Sequence, residues 1–364
     1  MRTLLGIISR YIARNFFVNF GFLLCLLLFI VYILDTVELM RRGDFELSPV
    51  LIAQMGLFKL PEVGQIILPF AVLFSAMFTF WRLNRTSELS VLRSVGLSAV
   101  QFTLPMLLGA FLLGVFAVTV INPISSVLLG KYEKMENRYI HSGESMISIS
   151  KSGLWLRQNN KDGGYTLIHA TRLNPENWQL QNLTFFEFET DNRLSKRVQA
   201  IEGYLRQDHW LLNNARVFTW SPRPALQDQM RIETDLTPQD IIDTFASLEN
   251  ISFWKIPEFI KTLRETGFST KRLEVQYQSL IAKPFLFAAM VLLAAAVSLR
   301  PPRLGGTMML VILGVFIGFA LFFSNSLFLA LGISQKIPIF LAAWTPTIVG
   351  MLLGGSVLLQ QEDG

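Results

Sequence analysis

The chain has 364 residues, of which 51% are hydrophobic and 16% charged, with a formal net charge of +5. That is more apolar surface than a soluble domain can bury, so an ordinary soluble enzyme is excluded and lipid is the expected solvent. The positive balance does not point to nucleic acid, because the basic residues fall in short segments beside apolar runs and form no stripe.

In chain order, the first apolar run covers residues 16–34, which hold no charge. At about 1.5 Å per residue it reaches roughly 28 Å, enough to cross the hydrocarbon core. Arg2, Arg10 and Arg14 precede it, as in a secretory signal. The run is too long for one and lacks a small-residue cleavage site, so a retained helix is expected. Cys25, the only cysteine, follows Leu23 and Leu24 rather than the small residue that lipoprotein processing needs. A single cysteine also excludes an internal disulfide.

Further runs cover about 66–80, about 99–121, 280–299, 306–331 and 337–359. The second must borrow residues from 57 onward, past Lys59, Pro61, Glu62 and Pro69, which predicts a kinked or partly interfacial entry. Basic residues alternate across the spans. Arg2, Arg10 and Arg14, then Arg82, Arg85 and Arg93, then Arg300 and Arg303 fall on one side; the opposite short segments hold Arg41, Arg42 and Lys336. By the positive-inside rule both termini are expected in the cytoplasm and residues 122–279 outside.

Within that outer stretch, residues 146–220 show short alternating runs such as Gly153-Leu154-Trp155-Leu156, Tyr165-Thr166-Leu167-Ile168 and Leu183-Thr184-Phe185-Phe186-Glu187-Phe188. Turn chemistry at Asn159 to Gly164, Asn174-Pro175-Glu176-Asn177 and Asp191-Asn192 separates them, which predicts a sandwich or jelly roll. Helical periodicity flanks the β-rich part at about 123–141 and 238–268, with Ile241, Ile242, Phe245 and Leu248 near one face and Ile256, Phe259, Ile260 and Leu263 near another. Trp254 stands where an interfacial aromatic often sits. These helices are expected to pack on the β-domain or the bilayer surface.

Catalytic motifs are missing. Gly130-Lys131 is followed by Tyr132 and has no leading glycine, so it is no phosphate loop. His141, His169 and His209 occur singly, without ligand spacing, and no metal site or cofactor is expected in this chain. Asp35, Lys283 and Arg300 are read as lying at span ends, which disfavours a proton-coupled transporter. The segment from Arg82 to Ser98 holds a helix-start pattern in Thr86-Ser87-Glu88-Leu89, with Leu92 and Val95-Gly96 following. Read alone, it is equally a solvated connection or a helix on which a partner docks.

The three-plus-three span layout, Arg85-Thr86-Ser87-Glu88-Leu89 through Ser94-Val95-Gly96, Gly153-Leu154-Trp155, Leu236-Thr237-Pro238 and Lys283-Pro284 occur in order along the whole chain. In these features it resembles the lipopolysaccharide-export permeases of the LptF/LptG type, nearer the LptG branch. The resemblance implies an α-helical membrane protein with six transmembrane helices and an inserted all-β, jelly-roll-like periplasmic domain. Its parts would be residues 1–121 for the first three spans, with a coupling helix at about 84–97, and 122–145 for a connecting helix. Residues 146–236 would form the β-domain, 237–279 amphipathic connecting helices and 280–364 the last three spans.

The resemblance further implies half of an ABC-transporter membrane unit at the inner membrane. Its partners would be a paralogous LptF-type permease, a dimeric LptB-type ATPase that carries the ATP and Mg, and a bitopic LptC-type β-domain protein. Lipopolysaccharide would be the cargo. Arg85, Glu88 and Gly96 would meet the ATPase, and Arg41 and Arg42 the lipid phosphates, although such arginines are also ordinary at an interface. Spans one and five would bound the lipid cavity, with Ile66, Ile67, Leu68, Phe319, Phe322 and Phe323 as lining candidates; lipid-facing or helix-packing positions share that composition. Asp35 departs from the pattern, standing where some relatives have lysine. A lipoprotein-release permease and a scaffold that merely displays the β-domain are the alternatives.

Overall fold

The computed structural model describes residues 2–42, 48–139, 146–150, 153–159, 164–174, 179–189, 191, 193–206, 209–219, 224–234, 251–265, 269–299 and 307–363. Outside them lie the expected helical face of Ile241, Ile242, Phe245 and Leu248, the motif Leu236-Thr237-Pro238, the turn Pro175-Glu176-Asn177, and His141, Arg300 and Arg303. The chain forms two compact units, one of Met1–Glu133, Ser252–Trp254 and Glu274–Gly364, the other of Lys134–Ile251 and Lys255–Leu273.

The first unit is built on helices long and apolar enough to cross a membrane, six of them among the described residues. They are α1 (Arg2–Arg42), α2 (Pro49–Arg85), α4 (Ala99–Phe116) continued through a π-helical turn at Ala117–Ile121 into α5 (Asn122–Tyr139), α7 (Lys271–Ser298), α8 (Thr307–Ile333) and α9 (Ile339–Asp363). A seven-residue helix, α3 (Glu88–Ser94), joins α2 to α4. Three spans precede the β-rich stretch and three follow it, so by connectivity the chain begins and ends at one end of the bundle and enters and leaves that stretch at the other.

Two boundaries differ from the sequence expectation. The second span, expected to have a kinked or partly interfacial entry from residue 57 onward, belongs to one helix of 37 residues, α2, which starts at Pro49 and has Pro61 and Pro69 inside it. Neighbouring helices tolerate such prolines, and the early part of α2 is held by α1. A Cβ on Gly56 would lie 3.1 Å from Tyr32, and the Tyr32 hydroxyl donates to the Ala53 carbonyl at 3.3 Å. Likewise α7 starts at Lys271, well before the apolar run at 280, so Lys283, near the start of that run, lies inside the helix. Hydropathy marks where lipid begins, and backbone hydrogen bonding continues past it.

Small residues set the helix packing, because in lipid close backbone approach replaces the hydrophobic drive. Gly314 and Gly318 of α8 meet Met77, Phe74, Leu73 and Phe70 of α2. Gly350 and Gly354 of α9 meet Ala289, Leu292 and Leu293 of α7, and Gly114 of α4 meets Pro284. The core they enclose joins Phe16 and Phe20 of α1, Leu73 and Phe80 of α2, Phe102 and Met106 of α4, and Phe287 and Met290 of α7. Coverage is uneven: 56% of the apolar window of α2 is buried and 72% of that of α7, against 6% in α1 and 11% in α8.

The π-helical turn has a visible use. Trp254 Nε1 donates to the Thr119 carbonyl at 3.2 Å, while Asn122 accepts from the Phe253 backbone N–H at 2.8 Å and donates to Gln65 at 3.2 Å. A wider turn frees carbonyls from the regular ladder, and here an indole takes one. Trp254 is thus tied to the spans.

Among the described residues the second unit holds one antiparallel sheet of eight strands: β1 (Met146–Ser150), β2 (Gly153–Asn159), β3 (Tyr165–Ala170), β4 (Arg172–Asn174), β5 (Gln179–Phe188), β6 (Leu194–Leu205), β7 (His209–Phe218) and β8 (Ala225–Glu233). The inserted domain is all-β as expected. Its strands pair in the order β1-β2-β3-β5-β6-β7-β8, and β4 pairs with the early part of β5, so β3 and β4 act as one strand interrupted at Thr171.

A crease crosses this sheet. Pairing skips Asn182 opposite Ile201, then Ile201 opposite Asn214, then Asn214 opposite Asp228. Asn182 and Asn214 have φ of 53° and 54°, the left-handed region that asparagine tolerates best among residues with a side chain. Burial parity flips along the line, from Leu180 to Leu183 and Phe185 in β5, from Val198 and Ala200 to Gly203 and Leu205 in β6, and from Trp210 and Leu212 to Ala215 and Val217 in β7. The register is the same on both sides of the line, so each unpaired residue faces another one on the next strand, and the strands change which alternate residues point inward without a bulge. Gly203 sits where a Cβ would meet Leu212 and Leu183, so those side chains fill the inner face. The amphipathic helix α6 (Ile256–Glu265) follows in the same unit.

Candidate functional site

The terminus-side connection places the three residues predicted for partner contact around α3. Arg85 ends α2 and lies over the Trp81 ring at 5.2 Å. Ser87 adopts φ of 60°, which turns the chain sharply so that α3 starts at Glu88. The Glu88 carboxylate accepts from the Thr86 hydroxyl at 2.9 Å and the Tyr11 hydroxyl of α1 at 3.3 Å. No cation pairs with Glu88 among the described residues.

At the other end of α3, Gly96 has φ of 84°, and the Gly96 and Leu97 N–H groups close the helix on the Arg93 and Leu92 carbonyls at 2.9 and 3.1 Å. Glycine is needed there for its backbone and not for room, since nothing lies within 4 Å of a Cβ. Ser98 then caps α4 through a reciprocal box with Gln101. Leu89 is buried in the helix core, whereas Val91, Arg93 and Val95 are exposed. The short helix is therefore pinned on one side and open on the other.

At the insert side, Arg41 is exposed and pairs with Glu38 at 2.8 Å, one turn back on α1. The side chain of Arg42 lies outside the described residues. Asp35 forms a partly buried ion pair with Lys59 of α2 at 3.2 Å, and the Lys59 ammonium lies 5.9 Å from the centre of the Tyr132 ring of α5. Lys131 approaches Phe58 at 5.8 Å. In the linear sequence Lys59 is a charge that a span must cross and Lys131 part of an incomplete phosphate loop, and neither pattern points to the other. Only the meeting of α1, α2 and α5 makes them one basic and aromatic cluster.

The apolar candidates separate by exposure. Ile66 is 54% exposed, Ile67 half-buried and Leu68 buried in the helix core, as three consecutive residues at about 100° intervals must be. Leu68 is therefore a packing residue and does not line an open surface. Phe319, Phe322 and Phe323 are 63%, 43% and 58% exposed. Phe319 and Phe323 stack at 6.3 Å one turn apart, and Phe322 touches Phe70 of α2 at 5.7 Å. They form an aromatic face on α8, one of the two poorly covered spans; α1 is the other.

His169 lies against Trp155 at 4.4 Å inside the sheet, and His209 opens β7. Among the described residues no group of three or more His, Cys, Asp or Glu is placed to hold a metal ion.

Comparison with known proteins agrees with this architecture. The lipopolysaccharide export system permease protein LptG of Escherichia coli K12 is 22% identical to the chain, the match covering 98% of this chain and 99% of that protein. LptG of Haemophilus influenzae is also 22% identical, over 99% of this chain and 100% of that protein. The family model for the lipopolysaccharide export system permease LptF/LptG matches residues 10–360, nearly every residue of both units, and the chain is a member of that family of multi-pass membrane permeases.

Proposed function

We propose that the chain is one permease subunit of an ATP-driven exporter that extracts lipopolysaccharide from the inner membrane and passes it to a periplasmic β-domain bridge. Both termini and α3 then lie in the cytoplasm and the creased sheet in the periplasm, in line with the arginine distribution. A paralogous LptF-type permease pairs with this chain, and a separate LptB-type ATPase dimer supplies ATP and Mg. An LptC-type protein receives the lipid edge to edge with the sheet, through an open strand such as β8.

The observation that carries this reading is the half-open α3. A half-buried Glu88 that has hydroxyl donors and, among the described residues, no cation of its own is prepared for a basic group from outside the chain. On the same reading Arg85 and the exposed valines of α3 complete the contact, and Gly96 fixes where the helix ends. The poorly covered α1 and α8, with Phe319, Phe322, Phe323 and Ile66, face the partner permease and the acyl chains between the two. Arg41 and Arg42 meet phosphates near the outer leaflet. Asp35 removes Lys59 from that set by pairing with it.

The test is co-purification. Tagged protein in mild detergent should bring down a second six-span permease and an ATPase, and lipopolysaccharide should stimulate hydrolysis. Glu88→Ala should lose the ATPase or weaken its binding by about tenfold or more, the effect of one charge-assisted hydrogen bond. A chain that purifies alone and binds no ATPase would overturn the proposal in favour of a scaffold.

A further inference from the structure

Lys283 lies within α7, yet no group among the described residues answers its charge. The helix continues outward from it through Leu280 to Lys271, and the face that bears Lys283 also bears Phe287 and Met290, both buried in the core shared with α1, α2 and α4. Leu280 on the other side is buried as well, and Lys283 itself is half-buried. The adjoining residues are fixed: Pro284 packs on Gly114, and Phe285 lies 5.2 Å from Phe111 and 5.3 Å from Trp344.

The described carboxylates of the spanning unit are engaged elsewhere. Asp35 pairs with Lys59, Glu38 with Arg41, and Glu88 accepts from Thr86 and Tyr11; Glu62 and Glu274 have contacts of their own. Among the described residues Lys283 has neither an ion pair nor a hydrogen bond. A membrane helix does not keep such a group without an anion or water to meet it.

Depth indicates which anion. Trp344 donates to Gln278 at 3.3 Å, a polar and aromatic pair of the kind that marks a bilayer boundary. Lys283 is five residues further in, about 7.5 Å at 1.5 Å per residue, and an extended lysine stem covers most of that rise. A stem that leans toward the start of the helix, as helical side chains do, brings the ammonium toward the level of lipid phosphates at that boundary.

We propose that Lys283 is the anion-binding group of an intramembrane lipid site, taking the phosphate of a lipid whose headgroup lies at the insert-side boundary. That phosphate belongs to a resident glycerophospholipid or to the exported glycolipid. The binding does not depend on the export reading; only the second of these lipids does.

The experiment compares wild type, Lys283→Met and Lys283→Arg, each purified with whatever subunits accompany it. Bound lipid is counted by native mass spectrometry after incubation with phosphatidylglycerol, with diacylglycerol of the same chains, or with lipopolysaccharide. Lys283→Met should retain about tenfold less of a phosphate-bearing lipid, Lys283→Arg within about twofold of wild type, and diacylglycerol should not respond. Loss of phosphatidylglycerol alone identifies a resident lipid, loss of lipopolysaccharide alone the cargo, and loss of both a shared phosphate site. If Lys283→Met does not fold, Lys283→Gln takes its place.

Unchanged retention of both phosphate-bearing lipids in a folded variant overturns the proposal. So does a variant that keeps its lipid and sheds another membrane subunit, since the counter-ion is then a protein carboxylate. The phosphatidylglycerol arm needs no ATPase and no transport, so it stands if the export reading fails, and its own failure leaves that reading intact.

Discussion

Single side chains here are read best by what already occupies them. Glu88 accepts two hydroxyl hydrogen bonds from its own chain, so it is held in place before any partner arrives. Tyr11→Phe removes the longer of them and should cost only about 0.5–1.5 kcal/mol in thermal unfolding, leaving ATPase co-purification intact, in contrast to Glu88→Ala. Asp35 shows the opposite economy, since it spends the charge of Lys59 inside the protein. Asp35→Asn should free that lysine and raise lipopolysaccharide retained per protein by several fold on purification from membranes. Equal retention would mean that Lys59 takes no part in binding phosphate. The identities of Glu88 and Asp35 were legible in the sequence, but their partners, up to 77 positions away, were not.

Among elements, glycines and asparagines decide the geometry that hydropathy leaves open. Adjacent positions in α9 give a direct comparison. A Cβ on Gly354 would lie 2.7 Å from Leu292 Cβ and 2.8 Å from its carbonyl carbon, while one on Gly355 meets nothing within 4 Å. Gly354→Ala should therefore cost about 1–3 kcal/mol by overpacking, and Gly355→Ala should be neutral or slightly stabilising, both read from melting in detergent. In the sheet, Asn182→Val and Asn214→Val each force a β-branched residue to positive φ and should cost roughly 1–2 kcal/mol, whereas glycine at either position should be tolerated. The alternating pattern predicted the strands. It did not predict the crease, because one αL residue reverses the alternation in the middle of a strand and resembles noise in a linear reading.

For the molecule as a whole, the uneven burial of the spans is the feature with the widest consequence. Helices α2 and α7 are enclosed by this chain, and α1 and α8 are left to lipid or to another protein. Cys25 is a natural probe of that choice, because it is the only cysteine and lies exposed on α1. A lipid-soluble maleimide should label it readily in the isolated chain and several-fold more slowly in the two-permease assembly proposed above. Equal labelling in both states would place the partner permease elsewhere.

The sequence by itself determined the class, the number and approximate position of the spans, the β-rich insert and the family. Each of these is a local or compositional property: an apolar run long enough for a bilayer, an alternation of period two, a motif in order. Tertiary structure alone decided that α2 runs unbroken through two prolines, that Leu68 packs while Ile66 is open, and that Lys59 and Asp35 cancel. It also left Lys283 inside α7 without a counter-charge among the described residues. All of these depend on which helix lies beside which, and in a bilayer that choice is made by close small-residue contacts and scattered polar pairs, whose partners a linear pattern does not name.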